Sequence, residues 1–142
     1  MRYLIATDGS EVSDTAVEHA ARDASALNAS LEIVHVLTPE TEFVDGALVL
    51  PGEERAVEYG EQTLRQATEL VTETVADGAD LELTTELLAG RPAAAIADYA
   101  DEADIDGIYV GHRGLSTEHE RVVGSVAKAV VDKSTVPVTI VK

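Results

Sequence analysis

The chain has 142 residues, 45% of them apolar and none of them cysteine, which suits one domain around one core and excludes a disulfide framework or a thiolate metal site. Its 27 acidic side chains outnumber 10 basic ones, for a formal charge of −17, so a polyanion is repelled and no nucleic acid is expected as a partner. No apolar run approaches bilayer-spanning length and "MRYLIATDGS" turns acidic too soon for a secretion signal, so no membrane association is expected and the cytoplasm is the expected location.

Arg2–Thr7 (RYLIAT) is a short apolar run stopped by Asp8-Gly9-Ser10, the pattern of a buried strand. Ser10 suits the N-cap of a following helix, in which Ala16, Val17, Ala20, Ala21, Ala24 and Leu27 form one stripe. Leu31–Val36 (LEIVHV) is the second strand. Thr38 to Glu54 carries two prolines and two glycines and is expected to be mostly loop, longer than the usual connection and suited to a lid or an excursion. A helical period returns from Arg55 to Ala76, with Val57, Leu64, Ala67, Val71 and Val75 in phase and Gly78 as its expected C-cap. Leu81–Leu88 is the third strand, and Gly90-Arg91-Pro92 opens a helix over Ala93–Ala103. Ile108–Gly111 is the fourth strand. Ser125–Lys133 is helical, with Val126, Val130 and Val131 on one side, and Val136–Val141 (VPVTIV) is the last strand. Strands alternating with helices imply an α/β fold: one open five-stranded parallel sheet, right-handed crossovers, helices on both faces.

In such a sheet ligands sit beyond the carboxyl ends of the strands, where the strand order reverses. Two strands end in unusual chemistry: the first in Thr7-Asp8-Gly9-Ser10, the fourth in Gly111-His112-Arg113-Gly114. If these strands are neighbours at the reversal, both turns line one crevice. Gly111 and Gly114 let the backbone approach a ligand and turn with positive φ. Gly124 and Ser125 stand at a helix start, where free N–H groups and the positive dipole end favour an anion. A triphosphate would bridge from the glycine turn to this helix end, with the residues between them wrapped around it.

Gly111-x-x-Gly114, nine residues, then Gly124-Ser125 resembles the nucleotide-binding motif of the universal stress protein family. The resemblance extends over the whole chain: "YLIATDGSEVSDTAVEHA" is similar to the family's first strand and helix, "GRPAAAIADYADEADIDGIYVGHRG" to its third helix and fourth strand, and "GSVAKAVVDKSTVPVTIVK" to its closing helix and strand. It implies one domain over residues 1–142 with strand order 3-2-1-4-5, a Rossmann-like sheet of the adenine nucleotide alpha hydrolase kind. It further implies a regulatory protein of the stress response that binds ATP or AMP. By the same resemblance Ala6, Thr7, Asp8 and Val36 contact the adenosine end. Val110, Gly111 and Gly114 follow the ribose and phosphates, and Gly124, Ser125 and Val126 hold the phosphates. Magnesium or manganese accompanies a triphosphate in the family. Its members commonly dimerise through the last strand, here Val136–Val141, and a homodimer is expected.

His112 and Arg113 either reach phosphate or face solvent. His35, between Val34 and Val36 in an apolar strand, suits a packed or hydrogen-bonded histidine better than a ligand; Glu18 and His19 suit a solvated helix face. Glu118, His119 and Glu120 depart from the apolar or basic residues usual in this loop of the family. They suit either a cation beside the phosphates or plain solvent. No residue stands out as one that activates water. A ligand-free dimeric module is the alternative function, and an adenylating ATP pyrophosphatase is disfavoured because Thr7-Asp8-Gly9-Ser10 lacks that group's paired-glycine loop. Only three of the bases are lysine and there is one Phe, a composition that suits concentrated salt, where a Debye length of about 3 Å at 1 M makes self-repulsion tolerable.

Overall fold

The structure is a computed structural model and describes residues 1–37, 42–44, 47–49, 53–75, 80–113 and 123–142. Its elements run β1 (Arg2–Ala6), α1 (Glu11–Ala26), β2 (Ser30–Leu37), β3 (Glu42–Val44), β4 (Ala47–Val49), α2 (Glu53–Thr74), β5 (Leu83–Ala89), α3 (Pro92–Glu102), β6 (Gly107–Gly111), α4 (Ser125–Lys133) and β7 (Val138–Val141). The long strands form one parallel sheet in the order β5-β2-β1-β6-β7, which is 3-2-1-4-5 counted along that sheet. β1 therefore lies between β2 and β6, and the order reverses between β1 and β6.

Alternation along the strands divides the core in two. Tyr3, Ile5, Leu31, Ile33 and Tyr109 pack on one face against the alanine stripe of α1 and against Leu64, Ala67 and Val71 of α2. Leu4, Val34, Val36, Ile108 and Val110 pack on the other face against Ile96 and Ala100 of α3 and Ala127 and Val130 of α4. Alanine at the contact positions lets α1 lie close to the sheet, and Ala16, Ala20, Ala21 and Ala24 are fully buried. One charged side chain enters the second face: Glu32 is buried and accepts from the Arg2 guanidinium at 2.6 Å, at the end of the sheet away from the crevice.

Several expected boundaries shift by one or two residues, as helix and strand ends commonly do. Three differences have physical causes. The segment expected to be mostly loop holds an antiparallel hairpin, β3 with β4, in which Val44 pairs with Ala47. The two residues between them are Asp-Gly, the pair favoured in two-residue hairpin connections. Leu27 follows the last turn of α1 as its C-cap and is exposed, so it does not extend the stripe. Val126 and Val131 are exposed while Ala127 and Val130 are buried, so α4 turns its alanine-containing side inward and leaves two of the three valines outside. The expected C-cap Gly78 lies outside the described residues.

Candidate functional site

β1 stops at Ala6 because the chain turns sharply into α1. Gly9 makes the turn with φ +84°, a conformation that glycine adopts without strain. The turn is tied internally: the Gly9 amide donates to Thr7 Oγ1 at 3.2 Å and the Ser10 amide to Asp8 Oδ1 at 3.0 Å. Ser10 caps α1 as its residue type suggests, its Oγ accepting from the Ser13 amide at 3.2 Å. Thr7 Oγ1 and Ser13 Oγ lie 3.0 Å apart, both buried. Two side chains from other elements hold the turn's carbonyls: His35 Nδ1 is 2.9 Å from Thr7 O, and the Tyr59 hydroxyl donates to Asp8 O at 3.0 Å. His35 is thus buried and hydrogen-bonded, as its apolar strand suggests.

Pairing of Ile5 with Tyr109 sets the ends of β1 and β6 side by side. Gly111 ends β6 directly under α1. A Cβ there would lie 2.9 Å from Val12 Cγ1 and 3.3 Å from Ser13 N. Gly111 does not have the expected positive φ; among the described glycines only Gly9 and Gly90 do. Its lack of a side chain is required by the close crossing of strand end and helix start.

His112 is buried, so it does not take the solvent-facing role that was one of the two open to it in the sequence. Its amide donates to Val141 O at 2.8 Å, and its Nδ1 lies 3.2 Å from the same carbonyl. Its own carbonyl accepts from the Gly124 amide, which ties the β6 end to the start of α4. Arg113 is half-buried, so the exposed pair is not formed. Gly114, Glu118, His119 and Glu120 lie outside the described residues.

Gly124 is the N-cap of α4, with no side-chain cap. The helical ladder begins with Lys128 N donating to Gly124 O at 3.1 Å. The amides of Ser125, Val126 and Ala127 therefore have no carbonyl of their own helix to meet. Together with the dipole they form an electropositive end that needs no basic side chain. Ser125 and Val126 are exposed there.

Ala6, Val36 and Val110 line the same side of the sheet, facing the α3 and α4 layer. The side chains of Val36 and Val110 are buried, so what they can offer a ligand is backbone. Thr7 is buried by its bonds to Gly9 and Ser13, and Asp8 is half-buried.

The electrostatics divide between the two helix starts. Burial, followed by the nearby Glu18, Asp8 and Glu11 carboxylates, raises the Asp14 pKa above the ordinary Asp value. The start of α1 is thus already supplied with negative charge, whereas the first turn of α4 carries no acid. An anion is better placed at α4. Among the described residues no group of three or more His, Asp or Glu side chains is disposed to hold a metal. The Thr7 and Ser13 hydroxyls are engaged within the turn: they meet each other at 3.0 Å, Thr7 Oγ1 accepts from the Gly9 amide, and Ser13 Oγ donates to Ser10 O at 3.0 Å.

Sequence reasoning picked out Asp8, Gly111, Gly124 and Ser125 and missed Val12, Ser13 and Tyr59. Val12 and Ser13 carry a weak signal as the first residues after a capped turn. Tyr59, on a helix 51 residues from its partner, carries none.

A model of the universal stress protein family matches residues 1–142. The universal stress protein YxiE of Bacillus subtilis is 30% identical over 146 residues, spanning 99% of this chain and 98% of its own. A universal stress protein solved in complex with cAMP superposes with a TM-score of 0.73 at 28% identity, over 99% of this chain and 95% of that one. The universal stress protein of Archaeoglobus fulgidus solved in complex with dAMP has the same fold, with a TM-score of 0.73 at 24% identity over 100% of this chain and 98% of that one. None of the helices among the described residues is long and apolar enough to cross a membrane.

Proposed function

The chain belongs to the universal stress protein family, and from that premise we propose that it binds an adenine nucleotide, ATP or AMP, in the crevice between the β1 turn and the start of α4. The observation that carries this reading is the α4 N-terminus. Three amides without helical partners stand on a glycine cap, hydrogen-bonded to the end of the strand that neighbours β1. The cAMP complex of a relative at 28% identity supports adenine as the base.

In this reading Ala6, Thr7, Asp8 and Val36 meet the adenosine end. Val110, Gly111 and Gly114 follow the ribose and phosphates, and Gly124, Ser125 and Val126 hold the phosphates. His112 and Arg113 flank the path, His112 through its backbone. Magnesium or manganese enters with the phosphates, whose oxygens suit a hard divalent cation. The domain, residues 1–142, acts as a regulatory protein of the stress response in the cytoplasm, in concentrated salt. It works as a homodimer paired through Val136–Val141. β7 lies at one edge of the sheet, and Val138 and Ile140 are only partly buried, an apolar edge of the kind that pairs with another chain.

That edge also favours a second reading, a homodimeric interaction module whose crevice takes no nucleotide. Calorimetric titration with ATP in molar potassium chloride, with and without magnesium, separates the two. The first reading expects binding that Gly124→Val abolishes; the second expects none in either protein. Light scattering at micromolar protein that shows only monomer would remove the dimer from both.

A further inference from the structure

We infer that Tyr59 is a positioning residue for the base end of the crevice, a role that rests on the nucleotide reading above. The turn carrying Asp8 has two consecutive carbonyls, of Thr7 and Asp8, and each is met by a side chain from outside the turn. Tyr59 reaches Asp8 O from α2 at 3.0 Å, and His35 reaches Thr7 O from β2 at 2.9 Å. A carbonyl only accepts, so the His35 Nδ1 must carry its proton. The two rings meet edge to face, with centroids 5.7 Å apart and planes at 65°. They form one brace rather than two separate contacts.

Two glycines make the brace possible. A Cβ on Gly9 would lie 3.1 Å from the Tyr59 hydroxyl, so the bare backbone leaves the oxygen its place. Gly60 is the residue after Tyr59. A Cβ there would lie 2.7 Å from Leu87 Cδ2 and 3.0 Å from His35 Cδ2, so its absence lets α2 seat directly on β2 and β5. A glycine inside a helix is unfavourable in itself; here it is explained by that close seating. Tyr59 remains about half exposed, 48%. Its hydroxyl therefore contributes little to the core and much to where the Asp8 turn sits.

The consequence is selective. The phosphate end of the crevice is assigned to α4 and β6, whereas the hydroxyl of Tyr59 is hydrogen-bonded to Asp8 O, at the base end. Loosening the Asp8 turn should weaken recognition of adenosine and leave the phosphate cradle intact. Tyr59→Phe removes the hydroxyl and keeps the ring against His35, so the fold should be preserved, as circular dichroism and thermal melting would check.

The experiment compares ATP with inorganic tripolyphosphate as probes on the full chain. Tyr59→Phe is expected to weaken ATP by about threefold to tenfold, the value of one lost hydrogen bond, with tripolyphosphate within about twofold of wild type. Equal loss for both probes overturns the inference, because it means general loosening. Unchanged ATP affinity with normal wild-type binding overturns it alone. A wild-type protein that binds no adenine nucleotide overturns it together with the reading it rests on.

Discussion

Gly111→Ala isolates the reason for the glycine at the end of β6. The added Cβ would sit 2.9 Å from Val12 Cγ1, and 3.3 Å from both Ser13 N and the Val12 carbonyl carbon. Carbon atoms rest at about 3.5–4.0 Å, so the closest contact is short by roughly half an ångström or more. Val12 is branched at Cβ and cannot swing away freely. The other two atoms belong to the α1 backbone, so relief requires the helix start to move off the sheet. Overpacking of this kind costs about 1–3 kcal/mol, and the lower half of that range is expected because α1 starts next to a turn. Urea unfolding in molar potassium chloride measures it. Val12→Ala in the same background removes only the closest contact and should recover about half of the loss, a coupling of about 0.5 kcal/mol or more in the double-mutant cycle. Gly111→Ala within about 0.3 kcal/mol of wild type, or a second substitution that simply adds its own cost, refutes the packing argument. If the glycine served ligand approach alone, stability would be unchanged and only nucleotide affinity would fall.

Asp14→Asn should stabilise the protein at neutral pH. Folding raises the Asp14 pKa, so the folded state holds that proton more tightly than the unfolded chain, and stability falls as pH rises from the ordinary Asp value through the raised one. The substitution should lift the thermal midpoint at pH 7 by about 1–3 °C and lose its advantage once acid protonates the wild-type carboxyl. Tyr109 behaves in the same sense at the alkaline end. Burial, then its hydrogen bond to Asp23 at 2.7 Å, raises its pKa, so stability falls as pH climbs past about 10, where the unfolded chain ionises. Tyr109→Phe should cost about 1 kcal/mol at neutral pH and narrow its deficit against wild type in alkali, followed by urea midpoints across pH. With a formal charge of −17, the thermal midpoint should climb as potassium chloride is raised from millimolar to molar, where the Debye length falls to about 3 Å; a flat profile contradicts the high-salt reading.

How far these features are legible in sequence depends on their range. The five strands and four helices follow from apolar runs and periods, and the strand order follows from the family resemblance carried by residues such as Asp8, Gly111 and Gly124. The hairpin β3–β4 had a local signal, Asp45-Gly46, obscured by the surrounding prolines and glycines. Spacing marks Gly111, but not its steric cause, which depends on a helix start about a hundred residues earlier, beyond the reach of any spacing rule. Tyr59 and Gly60 read as ordinary positions of an amphipathic helix; their meaning comes from where α2 lands on β2. Leu27 and Val131 fit their stripes by period alone; the end of α1 puts Leu27 outside, and the face of α4 that buries Ala127 and Val130 puts Val131 outside.

Most directly, the central claim is tested by amide chemical shifts, recorded as ATP is titrated into isotope-labelled protein in molar potassium chloride with magnesium. Saturable shifts of the Ser125, Val126 and Ala127 amides, together with those of the Asp8–Ser10 turn, are the predicted result. Saturation that leaves these amides in place, or no response up to millimolar ATP, would contradict the account.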